Sequence, residues 1–423
     1  MNVFSWIFLV ALAAGLALEL WLLWRQRRSV KSHRHAVPHP FEQRITLPQH
    51  QKAADYTLAR VRFQQVSQAV GALILLGWTF GGGLDLLDRA LAQWIVDPLW
   101  QGTALMVAVL VISTLLDLPL ELWSTFGIES RFGFNRTSAR QFLVDHLLQL
   151  TLLILVGGAL ALVFLWFMTH TGRLWWLWAW GAWMAFLLLT TWAWPTFIAP
   201  LFNRFKPLED EALRQRLEAL LTRNGFRSGG IFVMDGSRRS SHGNAYFTGL
   251  GKTKRIVFYD TLLESLSPEE IEAVLAHELG HFKRHHVLKN LLTMAAISFF
   301  GLALAGWLLE QPWFYTGLGV HRQTPALGLS LFLLVIPVFA TFFTPLFAML
   351  SRRYEFEADD FAARQVSAQA LIDALIRMYR DNASTLTPDR LYSAFHHSHP
   401  PATVRIAHLS SKIKTESPEV QHS

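Results

Sequence analysis

The chain has 423 residues, 52% hydrophobic and only 16% charged, with 17 tryptophans and no cysteine. That composition excludes an ordinary soluble globular protein, and the missing cysteines exclude a disulfide framework, a cysteine zinc site and a cysteine nucleophile. The net charge of +7 gathers beside apolar blocks, which suits lipid headgroups and topology signals, and with no RNA or DNA motif present no nucleic-acid partner is expected.

Residues 3–24 form an apolar run of spanning length, followed at once by Arg25, Arg27, Arg28, Lys31 and Arg34. With no basic region before it and no small-residue cleavage site, it reads as a first transmembrane helix and not a signal peptide. The basic cluster then lies inside and the amino terminus outside. Residues 35–65, with Pro38 and Pro40, read as a cytoplasmic connection.

Further apolar blocks at about 66–83, 103–120, 147–169, 174–198, 287–309 and 326–350 bring the count to about seven spans. Alternating from an outside amino terminus, the loop 130–140 with Arg131, Arg136 and Arg140, the segment 203–286 and the chain after Ser351 fall inside. The opposite loops carry little more than Arg89, Arg173 and Arg322, as the positive-inside rule requires. The tryptophans from Trp175 to Trp194 read as interfacial anchors of the fifth span, and Asp117 as a residue turned to other helices or to a wet cavity.

The segment 203–286 behaves like a small soluble α+β unit. Residues 209–223 carry Leu213, Leu217, Leu220 and Leu221 on one face and close on Asn224-Gly225, an amphipathic helix with its stop signal. Short β-prone runs at 230–234 and 255–259 flank His242–Gly249, a strand whose edge could pair with a substrate backbone or simply complete a hairpin.

Ser267-Pro268-Glu269-Glu270 then starts a helix, with an N-cap, a proline at the first position and a glutamate at the third. On that helix lies His277-Glu278-Leu279-Gly280-His281. Histidines at i and i+4 share a face and can give two imidazole nitrogens to one tetrahedral zinc, while the intervening Glu278 suits a general base for its water. Neither proline nor glycine lies between His281 and Val287. One uninterrupted helix is therefore expected from Pro268 past Asn290, with the zinc at the membrane boundary.

A catalytic zinc needs a third protein ligand. After the seventh span, Glu355 and Asp359 share one helix face, so one can bind metal while the other holds a zinc-bound histidine; Glu357 points away. The chain stays helical to about Lys414, and residues 415–423 read as a disordered tail. The resulting division is 1–202 for five membrane helices, 203–286 for the zinc-helix segment, 287–350 for two more spans and 351–414 for helices completing the site.

Several stretches together resemble the CAAX prenyl protease type I family, the a-factor-converting membrane zinc endopeptidases. They are Gly133–Asn135, Ile198–Asn203, Ser240–Phe247, His277–His281, Ser351–Asp359 and Ser398–Pro401. The resemblance implies a mainly α membrane protein, a seven-helix barrel around a water-filled chamber, with a small α+β protease domain on the cytoplasmic side. It implies one zinc per chain at His277, His281 and Glu355 and Glu278 as general base, which leaves Asp359, on the same helix face as Glu355, to hold a zinc histidine, His277 first. Substrate backbone would pair along Asn244, Ala245 and Tyr246, and His399 and Arg405 would contact substrate or transition state.

Members of that family remove three residues from the carboxyl end of prenylated C-a-a-X proteins, and some cut again nearer the amino terminus. The implied partners are a peptide or protein substrate, prenylated in those relatives, and the lipid bilayer. The arginine-rich, lysine-poor composition points to a bacterial inner membrane, or to the endoplasmic reticulum in a eukaryote, with the site facing the cytoplasm. Two rival readings are a quality-control protease with the same site, and a transporter with structural zinc, which would close its fourth metal position with a further protein ligand.

Overall fold

The computed structural model describes residues 1–226, 229–248 and 255–416. Among these, six helices are long and apolar enough to cross a membrane: Val3–Ser32, Pro98–Phe132, Ala139–His170, Gly172–Phe202, His286–Leu308 and Pro325–Gln365. A pair bent by 50°, Leu47–Trp78 with Gly83–Ala92, supplies a seventh. The bend falls on a glycine run: Gly82 takes φ +73°, and a Cβ on Gly83 would lie 2.8 Å from the Gly77 carbonyl oxygen. Residues 47–65, expected to belong to a connection, are instead the first turns of that second helix. It opens at Thr46 with a capping box closed by Gln49.

The fifth span packs on the fourth and sixth, the fourth on the third, the third on the second and seventh, and the seventh on the first. Trp176 and Trp180 hold Phe299 edge-on between the fifth and sixth spans, whereas Trp178, Trp192 and Trp194 face outward. Asp117 lies on an exposed face of its helix.

The small sheet has four strands, β1 (Phe205–Pro207), β2 (Ile231–Met234), β3 (Ala245–Thr248) and β4 (Arg255–Tyr259), in the order β1-β2-β4-β3. β2 and β4 are parallel, and the outer strands run antiparallel to them. β3 is an edge strand, paired among the described residues only with β4. Gly249, the last residue of the stretch read as a strand, and residues 417–423 of the expected tail lie outside the described residues; 415 and 416 close the Ala402–Glu416 helix.

Two large apolar cores occupy opposite ends of the molecule. One joins Leu217 and Leu220 of the amphipathic helix Glu211–Arg223, Ile256 and Phe258 of β4, and Ile271, Leu275 and Leu279 of the Pro268–Lys283 helix. The other joins Phe8, Leu84, Leu105, Phe314 and Leu327 at the far ends of the spans. The first helix reaches past its apolar part to Ser32, where Arg25 makes a two-pronged contact with Asp389 (3.1 and 2.9 Å) and Gln26 accepts from the Asp389 backbone at 2.7 Å.

The expected unbroken helix from Pro268 past Asn290 is not formed. The first helix stops at Lys283, His285 takes a left-handed φ of 56°, and a second helix starts at His286. Histidine is among the few non-glycine residues that visit this region. What holds it there is tertiary: the His286 ring is buried and stacks on Tyr354 at 4.2 Å. The helix that carries Glu355 does continue its span, since Pro325–Ala340 passes through a short 3₁₀ turn at Thr341–Phe343 into Thr344–Gln365.

Candidate metal centre

The Pro268–Lys283 helix starts on a reciprocal cap. The Ser267 hydroxyl accepts from the Glu270 backbone at 3.3 Å, and the Ser267 backbone donates to the Glu270 carboxylate at 2.7 Å. Its apolar face, Ile271, Leu275 and Leu279, is buried in the adjoining core. The opposite contact is made by Gly280, where a Cβ would stand 2.9 Å from the Ala358 Cα and 3.0 Å from its carbonyl oxygen. Only glycine against alanine lets these two backbones approach so closely, and the crossing sets His277 and His281 against Glu355, about one turn before Ala358 on the facing helix.

There, His277 Nε2 and His281 Nε2 lie 3.3 Å apart. Glu355 Oε2 is 3.5 Å from the first, and Glu355 Oε1 is 3.2 Å from the second. These separations match the edges of a tetrahedron of donors about 2.0–2.1 Å from a zinc ion, which are about 3.3–3.4 Å. Glu355 Oε2 is buried without a hydrogen bond; His399 Nδ1 lies 2.7 Å away but out of alignment. A buried carboxylate oxygen without a donor, facing two imidazole nitrogens, is what a cation would satisfy. Among the described residues this is the one group of three His, Asp or Glu side chains able to share a metal.

Behind the ligands, Asp359 is fully buried and lies 2.8 Å from His277 Nδ1. Arg405, on the Ala402–Glu416 helix, donates to both Asp359 oxygens (2.9 and 2.5 Å), with a third nitrogen 3.5 Å from Glu355. Burial is the largest single influence on the Arg405 guanidinium and pushes it down, but the two carboxylates together outweigh it and hold the group above its ordinary value. Burial is also the largest influence on His277 and pushes it down, as does Arg405. The negative charges of Asp359, 2.8 Å away, and of Glu355 outweigh both and raise it to about 9.

Glu278 is half-buried and makes no hydrogen bond or ion pair with the described residues. His399 is largely open and lines a cavity of about 510 Å³ with Tyr56, Arg60, His242, Tyr392 and His396. Arg405 does not line that cavity; its side chain is 8% exposed. It stands behind Glu355 and His277, braced on Asp359. β3 runs beside the metal helix, with Asn244 exposed just before it, Ala245 buried in the core and Tyr246 half-buried.

Sequence reasoning weighed His286 only as a possible fourth ligand of a structural zinc, along with His285, His242 and His399, missed it as a partner of His281, and dismissed Glu357. His286 Nδ1 is 3.0 Å from His281 Nδ1, and its Nε2 is 3.2 Å from Glu357. On an unbroken helix, a residue five positions after His281 faces about 140° away. Only the left-handed turn at His285 returns it, and no sequence signal marks that turn.

Two family descriptions match the chain in succession. Residues 26–204 match "CAAX prenyl protease N-terminal, five membrane helices", and residues 207–413 match "Peptidase family M48". The "CAAX prenyl protease 1 homolog" of Caenorhabditis elegans is 33% identical over 95% of this chain and 97% of its own length. The Saccharomyces cerevisiae "CAAX prenyl protease 1" is 32% identical over 94% of this chain and 93% of its own. The crystal structure of S. mikatae Ste24p superposes with a TM-score of 0.89 at 30% identity, covering 97% of this chain and 99% of that one.

Proposed function

Since this chain belongs to peptidase family M48, as a multi-pass membrane metallopeptidase of the CAAX prenyl protease type, we propose that it is a zinc endopeptidase. Its substrates on this reading are proteins cleaved near the carboxyl end, lipidated C-a-a-X proteins or other membrane-associated ones. The observation that carries the reading is the convergence of His277, His281 and Glu355 donor atoms beside a cavity that His399 lines, with Glu278 adjacent in the sequence of the same helix.

Zinc held by those three residues would polarise a scissile carbonyl and lower the pKa of water. Glu278, which has no competing partner among the described residues, takes the proton of the attacking water and returns it to the leaving amine. His399, open to the cavity, offers a donor to the oxyanion. Asp359 accepts from His277 Nδ1, which turns Nε2 toward the metal, and Arg405 keeps Asp359 ionised. The free edge of β3, from Asn244 through Tyr246, is placed to take an extended substrate as a further strand. The positive-inside distribution of arginine and lysine supports a site on the cytoplasmic face.

The test is cleavage-site mapping with the purified protein on matched prenylated and unprenylated peptides, with Glu278→Gln as the blank. A cut three residues from a prenylated carboxyl end supports the reading. Cuts scattered along unmodified membrane segments would favour the quality-control alternative, and no cleavage beyond the blank would overturn it.

A further inference from the structure

The two histidines of the metal helix are supported from behind by different groups. We infer that His286, backed by Glu357, is the positioning residue for His281, as Asp359 is for His277; this rests on the zinc reading of the site. His281 Nε2 faces the centre, 3.3 Å from His277 Nε2 and 3.2 Å from Glu355. Its other nitrogen, Nδ1, stands 3.0 Å from His286 Nδ1.

If His281 gives its Nε2 lone pair to a metal, its ring proton must sit on Nδ1, and His286 Nδ1 must accept it. The single proton of a neutral His286 is then on Nε2, 3.2 Å from Glu357 Oε2, which accepts in turn. Glu357 is anchored by Arg353 Nε at 3.2 Å and by Lys289 Nζ at 3.8 Å. Every proton in the row has one consistent position. The His286 ring cannot swing away, because it is 2% exposed and stacked on Tyr354 with planes 15° apart. The left-handed turn at His285 therefore has a use, since it brings the first residue of the next helix back over the second ligand. One ligand is oriented by a carboxylate and the other by a neutral imidazole.

The experiment uses full-length purified protein stripped of metal and titrated with Zn²⁺ against a competing chelator, then with Co²⁺ read by its visible absorption. His286→Leu should weaken zinc binding by about 10- to 100-fold and change the cobalt spectrum. His286→Asn, whose amide oxygen can accept where Nδ1 did, should recover most of both. Glu357 is partly exposed, unlike the buried His286, so Glu357→Leu remains testable even if His286→Leu does not fold. It should weaken zinc binding less than His286→Leu does, and Glu357→Gln should stay near wild type.

Leucine variants that hold zinc as tightly as wild type with an unaltered cobalt spectrum would overturn the inference alone. Failure of the asparagine variant to recover the cobalt spectrum, at unchanged metal-free melting temperature, would overturn it too. A wild-type protein that takes up no zinc at these residues would bring down the site reading and this inference together.

Discussion

The two ends of the molecule are packed for different tasks. At the metal-bearing end, small residues at a helix crossing and a tight set of carboxylate, imidazole and guanidinium contacts define positions to a fraction of an ångström. At the far end, large side chains such as Trp175, Phe314 and Tyr315 fill the space, and the buried Asp85 and Asp88 are tied off by His321 and Arg322. The first arrangement holds chemistry, whereas the second seals the spans. Equal losses of stability at the two ends should therefore have unequal effects on the metal.

The sharpest separation comes from Glu278→Gln, which should lower turnover by about 10²- to 10⁴-fold while zinc content, measured by elemental analysis, stays at wild-type level. Loss of zinc in that variant would remove its use as a probe of proton transfer. Next comes a matched pair of glycines. Gly280→Ala crowds Ala358, and Gly102→Ala meets Ala326 Cβ at 2.8 Å among the spans. Each should cost about 1–3 kcal/mol by thermal or denaturant unfolding, but only Gly280→Ala should also weaken zinc binding. Equal metal affinities would erase the distinction between the ends.

A smaller contrast lies within one helix. Asp359→Ala should reduce zinc affinity by about 10- to 100-fold, and Asp360→Ala, whose partners His408 and Lys412 lie outside the centre, should leave it unchanged in the same chelator competition. The pH dependence follows from His277, raised to about 9 in the metal-free protein. A raised pKa stabilises the fold fully below the unfolded value near 6.5, and that contribution is lost as pH rises through about 9. The metal-free protein should thus lose melting temperature over that window, while zinc affinity rises as the competing proton leaves. A flat profile by calorimetry would contradict the assignment. Least of all, Trp178→Ala, on an outward face, should change stability by no more than about 0.5 kcal/mol in detergent and leave zinc binding untouched.

The spans and the zinc helix were legible because their signals are local: apolar length in one case, and in the other a capping box followed by histidines at i and i+4. The β-prone runs at 230–234 and 255–259 were legible too, whereas β1, three residues ending in Pro207, is too short to announce itself. The second helix begins at Leu47, well before its apolar block, since its first turns are polar and flanked by prolines that suggest a connection. The break at His285 was invisible for a deeper reason. Nothing in Lys283-Arg284-His285-His286 disfavours helix, and the turn exists because His286 gains Tyr354, His281 and Glu357 as neighbours. The layering of Arg405 behind Asp359 is likewise a property of packing and not of any motif.

The grip of Arg25 and Gln26 on Asp389 joins residues 364 and 363 positions apart, and Glu355, the third member of the proposed metal set, and Arg405 behind it also come late in the chain. During synthesis the helix bearing His277 and His281 is finished well before these contacts can close, and pairings of such long range form last. A nascent chain, threaded into a membrane crowded with other unfinished proteins, would thus lack a complete hydrolytic centre until nearly all of it had been made.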